Sequence, residues 1–356
     1  MRPAVDPLEE WALHCQAKGA TVSLDSSGAP PPYGERWWKD LDVQDGNDEA
    51  EAEELLRDAL SWHYGVERER IALTAGAQHA DFLFLTAFGP SDLVAVESPT
   101  FVPIRQQADM VCQAAIVRRD PDRDFLLHEG DLEDAARRGA RALVLTNLHN
   151  PSAAEMGDEE LGALIERAER LGMQVLVDEV YREMSYGMPP APAFSMGEDA
   201  CSVSSVTKLN GLRGLRVGWL IGPERTVERI ERTRLLSSYR LPPRNVVLAA
   251  EAVRRQSWFR ERVLRKASKN LPILYEWLQE EERVSCPMPD GGLMALVQLP
   301  PGMDDLEFSE MVLERGVAIG PGRYFGAPGH VRITFSCSRE KLRTGLAAIT
   351  AALDDR

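Results

Sequence analysis

Lys208 follows Ser205 and Thr207, and Arg216 lies eight residues beyond it. Gly211 and Gly214 fall between the lysine and the arginine, and Gly218 comes two residues after the arginine. A lysine amine is a nucleophile that forms Schiff bases with aldehydes. Hydroxyl groups and a guanidinium hold phosphate, the guanidinium through two parallel hydrogen bonds. Glycines let the backbone turn tightly and approach a ligand closely. The set suits a lysine Schiff base to a phosphorylated aldehyde; its alternative is a basic surface loop between two elements.

Ser205-Val206-Thr207-Lys208, Gly211 and Gly214-Leu215-Arg216-Val217-Gly218 resemble the cofactor-lysine motif of the pyridoxal-phosphate (PLP) aminotransferases of fold type I, class I/II. That motif reads Ser-x-Ser/Thr-Lys, then Gly, Gly and Arg-x-Gly. The resemblance implies that Lys208 carries the cofactor and that Ser205, Thr207 and Arg216 hold its phosphate. It assigns no role to Arg213.

PLP chemistry needs a protonated pyridine nitrogen, and a nearby carboxylate favours that charged form. Asp178 closes the apolar run Val175-Leu176-Val177, at the strand end where open α/β sheets bind ligands. Alone it reads better as a helix N-cap. Asp178-Glu179-Val180-Tyr181 resembles the family's Asp-Glu-x-Tyr. By that resemblance Asp178 pairs with the pyridine nitrogen, and Tyr181 hydrogen-bonds the ring hydroxyl.

The remaining motifs are weaker individually. Asn150-Pro151-Ser152-Ala153 resembles the family's Asn-Pro-Thr-Gly, with Asn150 contacting the ring hydroxyl and the substrate carboxylate. Alone it is an ordinary Asn-Pro turn, and Ala153 replaces the usual glycine. Thr74-Ala75-Gly76-Ala77-Gln78 joins a strand to a helix, whose N-terminus suits a phosphate. It resembles the phosphate cup, formed by the backbone of Ala77 and Gln78. Glu97-Ser98-Pro99-Thr100-Phe101 resembles Glu-x-Pro-x-aromatic, which makes Phe101 the ring-stacking residue rather than plain core. Gly320 to Gly326 and Val331-Arg332-Ile333 resemble the C-terminal signature, in which Arg332 binds the substrate α-carboxylate as a fork. Strand alternation alone would place Arg332 on a wet face. Gly28 corresponds to an N-terminal glycine whose backbone meets the same carboxylate. The histidines show no metal spacing, so no metal is expected; His79 and His149 read as packing or surface residues.

These residues need a frame. A short helix is expected over Leu8 to Cys15, with Trp11 on its apolar side, and an amphipathic helix over Glu49 to Tyr64, stopped by Gly65. From Ile71 short apolar runs alternate with helices. Strands are expected at 71–73, 93–96, 114–117, 142–145, 175–177, 202–204 and 215–222, and helices at 76–88, 132–138 and 158–171. The pattern predicts a mostly parallel sheet covered on both faces. Charged helices follow over 223–239 and 244–281, and then an α+β pattern with strands at 293–299 and 331–335. The fold class is α/β: the three-layer fold of type I PLP transferases, with a mostly parallel central sheet and a smaller α+β domain. We divide the chain into 1–47, joining the small domain, a large PLP-binding domain over 48–264, and a small C-terminal domain over 265–356.

The chain has 356 residues and a formal net charge of −15, which argues against nucleic acid or an anionic membrane as partner. Its five cysteines are scattered, without zinc spacing, and fit a reducing, cytoplasmic setting. No signal peptide or transmembrane segment is expected.

The order of motifs matches the family from residue 71 to 335. The resemblance implies a PLP-dependent aminotransferase moving an amino group from an amino acid to a 2-keto acid, by a ping-pong cycle through a Lys208 Schiff base. Decarboxylases, elimination/replacement enzymes and cyclising synthases share these residues. A ligand-sensing regulator of aminotransferase type is the different-class alternative, though no helix-turn-helix precedes Ile71. Family habit implies a homodimer. Dimeric relatives commonly lend a tyrosine to the phosphate, yet Trp37 to Gly46 contains none, and Tyr33 is the nearest. Ser26-Ser27-Gly28 is similar, over three residues that carry no assignment, to ring-forming synthases of the capreomycidine type.

Overall fold

The computed structural model describes residues 6–32, 37 and 48–355. Helix α1 (Pro7–Ala17) and strand β1 (Val22–Ser23) come first. Helix α2 (Glu49–Tyr64) has the predicted bounds for local reasons. The Asp48 side chain accepts from the Ala50 N–H at 2.8 Å, and Gly65 ends the helix in the left-handed region at φ 63°. Then β2 (Ile71–Thr74), α3 (Ala77–Leu85), β3 (Leu93–Ser98), α4 (Val102–Val111), β4 (Gln113–Arg118), α5 (Glu133–Arg137), β5 (Ala140–Thr146), α6 (Asp158–Arg170), β6 (Gln174–Asp178), β7 (Ala200–Ser205) and β8 (Gly218–Ile221) alternate. Helices α7 (Glu224–Ser237), α8 (Pro243–Arg254) and α9 (Gln256–Glu280) lead to β9 (Met294–Gln298), α10 (Asp305–Glu314), β10 (Val317–Ala318), β11 (Gly320–Pro321), β12 (His330–Thr334) and α11 (Arg339–Asp354).

The central sheet has seven strands in the order β2-β8-β7-β6-β5-β3-β4. Only β8 runs antiparallel to its neighbours; the other pairs are parallel. The C-terminal ends of β3, β5, β6 and β7 therefore share one edge and carry Ser98, Thr146, Asp178 and Ser205 to it. A three-stranded antiparallel sheet, β11-β12-β9, forms the smaller part, and β1 pairs parallel with β10. Trp11 is buried on this smaller part and donates its ring N–H to the Ile319 carbonyl at 2.6 Å.

Besides the short strands β1, β10 and β11, which were not expected, the structure differs from the expectation in four places. Helix α4 lies where no element was expected; Pro103 sits in its first turn, where the missing N–H costs no intrahelical bond. The strand expected from Leu215 starts only at Gly218, because Arg216 adopts a left-handed turn at φ 51°. The helical stretch 244–281 breaks into α8 and α9 at Arg255. All five residues of β12 are buried, so alternation does not send Arg332 to water. Helix α9 is continuous through residue 265. Trp37 packs edge-on against Phe259, whereas Tyr33 and the stretch from Trp38 to Gly46 lie outside the described residues.

Candidate active site

Lys208 and every side chain assigned to the cofactor line one cavity at the C-terminal edge of the large sheet: Ala77, Gln78, Phe101, Asn150, Asp178, Tyr181, Ser205, Thr207 and Arg216. Thr146 and Val180, which the motifs did not single out, line it too. The Lys208 Nζ stands 5.2 Å from the centre of the Tyr181 ring and 6.0 Å from that of Phe101, close enough for both aromatic faces to attract it. Asp178 does cap the turn after β6, accepting from the Val180 N–H at 3.0 Å, and it also faces the cavity. Burial pushes the Asp178 carboxyl up to about 6, against the pull of the Val180 N–H and the Lys208 charge. A cationic ring nitrogen beside it would pull that value back down.

On the phosphate side, α3 starts at Ala77 behind a left-handed Gly76 at φ 90°. The first N–H groups of a helix have no intrahelical acceptor and favour an anion. The Arg216 guanidinium lies so close that a Cβ on Gly76 would be 2.9 Å from its Nη2. A Cβ on Gly218 would stand 2.6 Å from the Gly76 carbonyl carbon and 2.7 Å from the Ala77 nitrogen. Gly218→Ala therefore displaces the first turn of α3, and PLP affinity is expected to fall about tenfold or more. Gly214→Ala, where a Cβ would meet nothing within 4 Å, leaves it unchanged. Equilibrium titration with PLP checks both.

The Asn150 loop rests on a buried frame. Glu97 pairs with Arg119 at 2.6 Å and accepts from the Thr146 hydroxyl at 2.6 Å and the Thr146 N–H at 2.9 Å. His149 is wholly buried, with Nε2 at 2.9 Å from the Pro99 carbonyl and Nδ1 at 2.6 Å from the Ser152 hydroxyl. Burial and Arg119 hold it well below the usual histidine range, so it packs as a neutral ring. Ala153, standing at the family's glycine, keeps a left-handed backbone at φ 64°.

Arg332 is buried, contrary to its solvated reading from strand alternation alone. Its Nη1 donates to Asn150 Oδ1 at 2.9 Å and its Nη2 to the Asp25 carbonyl at 2.6 Å, while the guanidinium lies 4.4 Å from the Phe325 ring centre. Its Nε has no partner among the described residues. A buried guanidinium with an orphan N–H fits a carboxylate ligand. Gly28 does not line the cavity. It lies against the Thr207 and Lys208 carbonyls, where a Cβ would make ordinary contacts at 3.5 and 3.7 Å, so space alone does not demand glycine. Arg213 is exposed and donates to the Ser26 hydroxyl. No group of histidine, cysteine, aspartate or glutamate side chains suited to a metal occurs among the described residues.

Asp81 went unnoticed in the sequence. It sits wholly buried on α3, and neither carboxyl oxygen has a partner among the described residues. Burial, then Asp178, holds its pKa well above the usual carboxylate range. The unfolded chain releases this proton near pH ~3.9 and the fold much later, so rising pH destabilises the fold across that window. Asp81→Asn removes the penalty. Its gain in apoprotein melting temperature should be larger at pH 7 than at pH 4, and equal gains would contradict the assignment.

The fold and cavity define an α/β protein built around a lysine at the strand ends, with an anion cradle on one side and a buried arginine on the other. The family model described as aminotransferase class I and II matches residues 49–349, and the chain belongs to that family, whose members are PLP-dependent. Capreomycidine synthase of Streptomyces vinaceus is 29% identical over 98% of this chain and 93% of its own. Arginine–pyruvate transaminase of Pseudomonas aeruginosa is 26% identical over 78% of this chain and 73% of its own. The structure of aspartate aminotransferase from Thermus thermophilus with maleate superposes at TM-score 0.87 over 99% of this chain and 97% of its own, at 24% identity, and shares the fold.

Proposed function

We propose that the protein is an aminotransferase that uses PLP to move an amino group from an amino acid to a 2-keto acid in a ping-pong cycle. The observation that carries this reading is Arg332, which does not itself line the Lys208 cavity but is buried behind it, bonded to Asn150, which does, with its Nε unpartnered among the described residues. The donor set fits the cofactor. Lys208 would hold it through Nζ, with Ser205, Thr207, Arg216 and the start of α3 on its phosphate. Asp178 would pair with the ring nitrogen, Tyr181 and Asn150 with the ring hydroxyl, and Phe101 with the ring face. When bound, PLP supplies the electron sink that makes the α-carbon of an amino acid acidic. Arg332 orients that amino acid by its carboxylate, with Asn150 steadying the guanidinium. Lys208 Nζ, once free, is the base placed to take the α-proton and to return it on the cofactor side.

The test is a screen of single amino acids against PLP-loaded protein, following the absorbance change and identifying the product. A matching 2-keto acid and an aminated cofactor support transamination. Carbon dioxide, loss of a side-chain group or a ring-closed product would sink it. A second reading, a cyclising synthase, draws on the likeness to capreomycidine synthase, which extends over nearly the whole chain. The same product analysis decides between the two.

A homodimer belongs to this reading. Leu236 is 90% and Tyr239 62% exposed at the end of α7, where Ser237 bonds His79 beside the phosphate cradle. Sedimentation should give twice the chain mass. Division into large and small domains near residue 265 and a cytoplasmic setting are parts of the same proposal. No described helix is long and apolar enough to cross a membrane.

A further inference from the structure

The segment from Leu24 to Pro30 is tied at both ends. On the side of the small sheet, the Thr334 N–H donates to the Leu24 carbonyl at 2.7 Å, Arg332 donates to the Asp25 carbonyl at 2.6 Å, and the Ser336 hydroxyl donates to the Ser26 carbonyl at 3.3 Å. On the lysine side, the Ala29 N–H donates to the Lys208 carbonyl at 2.8 Å. Gly211 presses so closely that a Cβ there would stand 2.7 Å from the Pro30 carbonyl oxygen. Ser27 is therefore carried on a strap held by both parts of the fold. It is 6% exposed. Its Oγ lies 2.6 Å from the Tyr181 hydroxyl oxygen and 3.4 Å from Lys208 Nζ.

A serine hydroxyl has one proton and two lone pairs, whereas an ammonium only donates. Lys208 N–H takes one lone pair of Ser27. The 2.6 Å contact admits either donor; with the Ser27 proton on the phenolic oxygen of Tyr181, the Tyr181 O–H is free to point into the cavity. Chains of this kind strengthen each member's donation. The charged groups around the chain are Asp178 from β6, Arg332 from β12, Asp25 from the strap, and Arg213 and Arg216 from the loop after Lys208.

We propose that Ser27 is a further catalytic residue: its hydroxyl receives the Lys208 amine whenever that amine is free, and it polarises Tyr181 as a donor to the cofactor's ring oxygen. The inference rests on the proposed PLP chemistry at Lys208. Without Ser27, Tyr181 donates less strongly, and the ring oxygen keeps more negative charge. With the cofactor bound, Lys208 Nζ would then lose its proton at higher pH.

The experiment compares PLP-loaded wild type with Ser27→Ala and Ser27→Thr. Borohydride reduction and peptide mapping report whether PLP is attached at Lys208. A pH titration of the visible absorbance band and the split of kcat from KM report on Ser27. Ser27→Ala should remain attached at Lys208, raise the midpoint by about half a unit, and lower kcat about fivefold with KM nearly unchanged. Ser27→Thr should restore both. Should Ser27→Ala not fold, Ser27→Cys, with its weak S–H donor, should show the same two shifts. An unchanged midpoint and kcat in a folded variant that lacks the hydroxyl overturn the role of Ser27 and leave the Lys208 reading standing. Wild type with PLP attached elsewhere overturns both.

Discussion

Lys208→Ala lowers turnover by about three orders of magnitude or more, the scale of a lost general base. It also removes the only covalent attachment that the proposed chemistry gives the cofactor. The rest of the cradle should be untouched, because the Lys208 amine bonds to Ser27 rather than to Ser205, Thr207 or Arg216. The variant should therefore still take up PLP, and uptake without turnover separates loss of chemistry from loss of fold. Steady-state rates and PLP content per chain are the measurements. Turnover within tenfold of wild type would remove Lys208 from the mechanism.

Arg332→Lys has the second large expected effect. The guanidinium makes two hydrogen bonds at once, to Asn150 Oδ1 at 2.9 Å and the Asp25 carbonyl at 2.6 Å, and keeps Nε spare among the described residues. An ammonium cannot reproduce that fork. Breaking a buried charged arrangement costs ~2–5 kcal/mol, so kcat/KM for the preferred amino acid should fall by about a hundredfold or more. The loss should sit mainly in KM, because a carboxylate is held equally before and during the chemical step. An amine substrate without a carboxylate should lose little. A fall confined to kcat, or equal losses for both substrates, would assign Arg332 a different task.

The parts of the site legible in the sequence are those that lie at ends of sheet strands. Asp178, Asn150 and Lys208 each follow a buried run, and parallel pairing brings those ends to one edge whatever the loops do. Glu49–Tyr64 was legible because its apolar positions recur at helical spacing and Gly65 stops it locally; the structure adds Asp48 as the cap at its start. Arg332 was recognised by its surroundings in the sequence, but its burial was not, since period-two alternation assumes one wet face and β12 has none. The bend at Arg216 was hidden because the run Leu215 to Gly222 reads as one apolar strand, whereas Arg216 takes a left-handed turn at φ 51°. Ser27 stands 181 residues from Lys208, and only the paired ends of the strap bring it there. Asp81 has no local signature at all; nothing short of the packed core shows that its carboxyl is orphaned.

Borohydride reduction of the PLP-loaded protein, followed by mass mapping of its peptides, tests the central claim most directly. The peptide containing Ser205 to Arg216 should carry one reduced pyridoxyl group, on Lys208. The Lys208→Ala protein should carry none despite bound PLP. A pyridoxyl group fixed on another lysine of the wild type, or persisting in Lys208→Ala, would contradict the assignment.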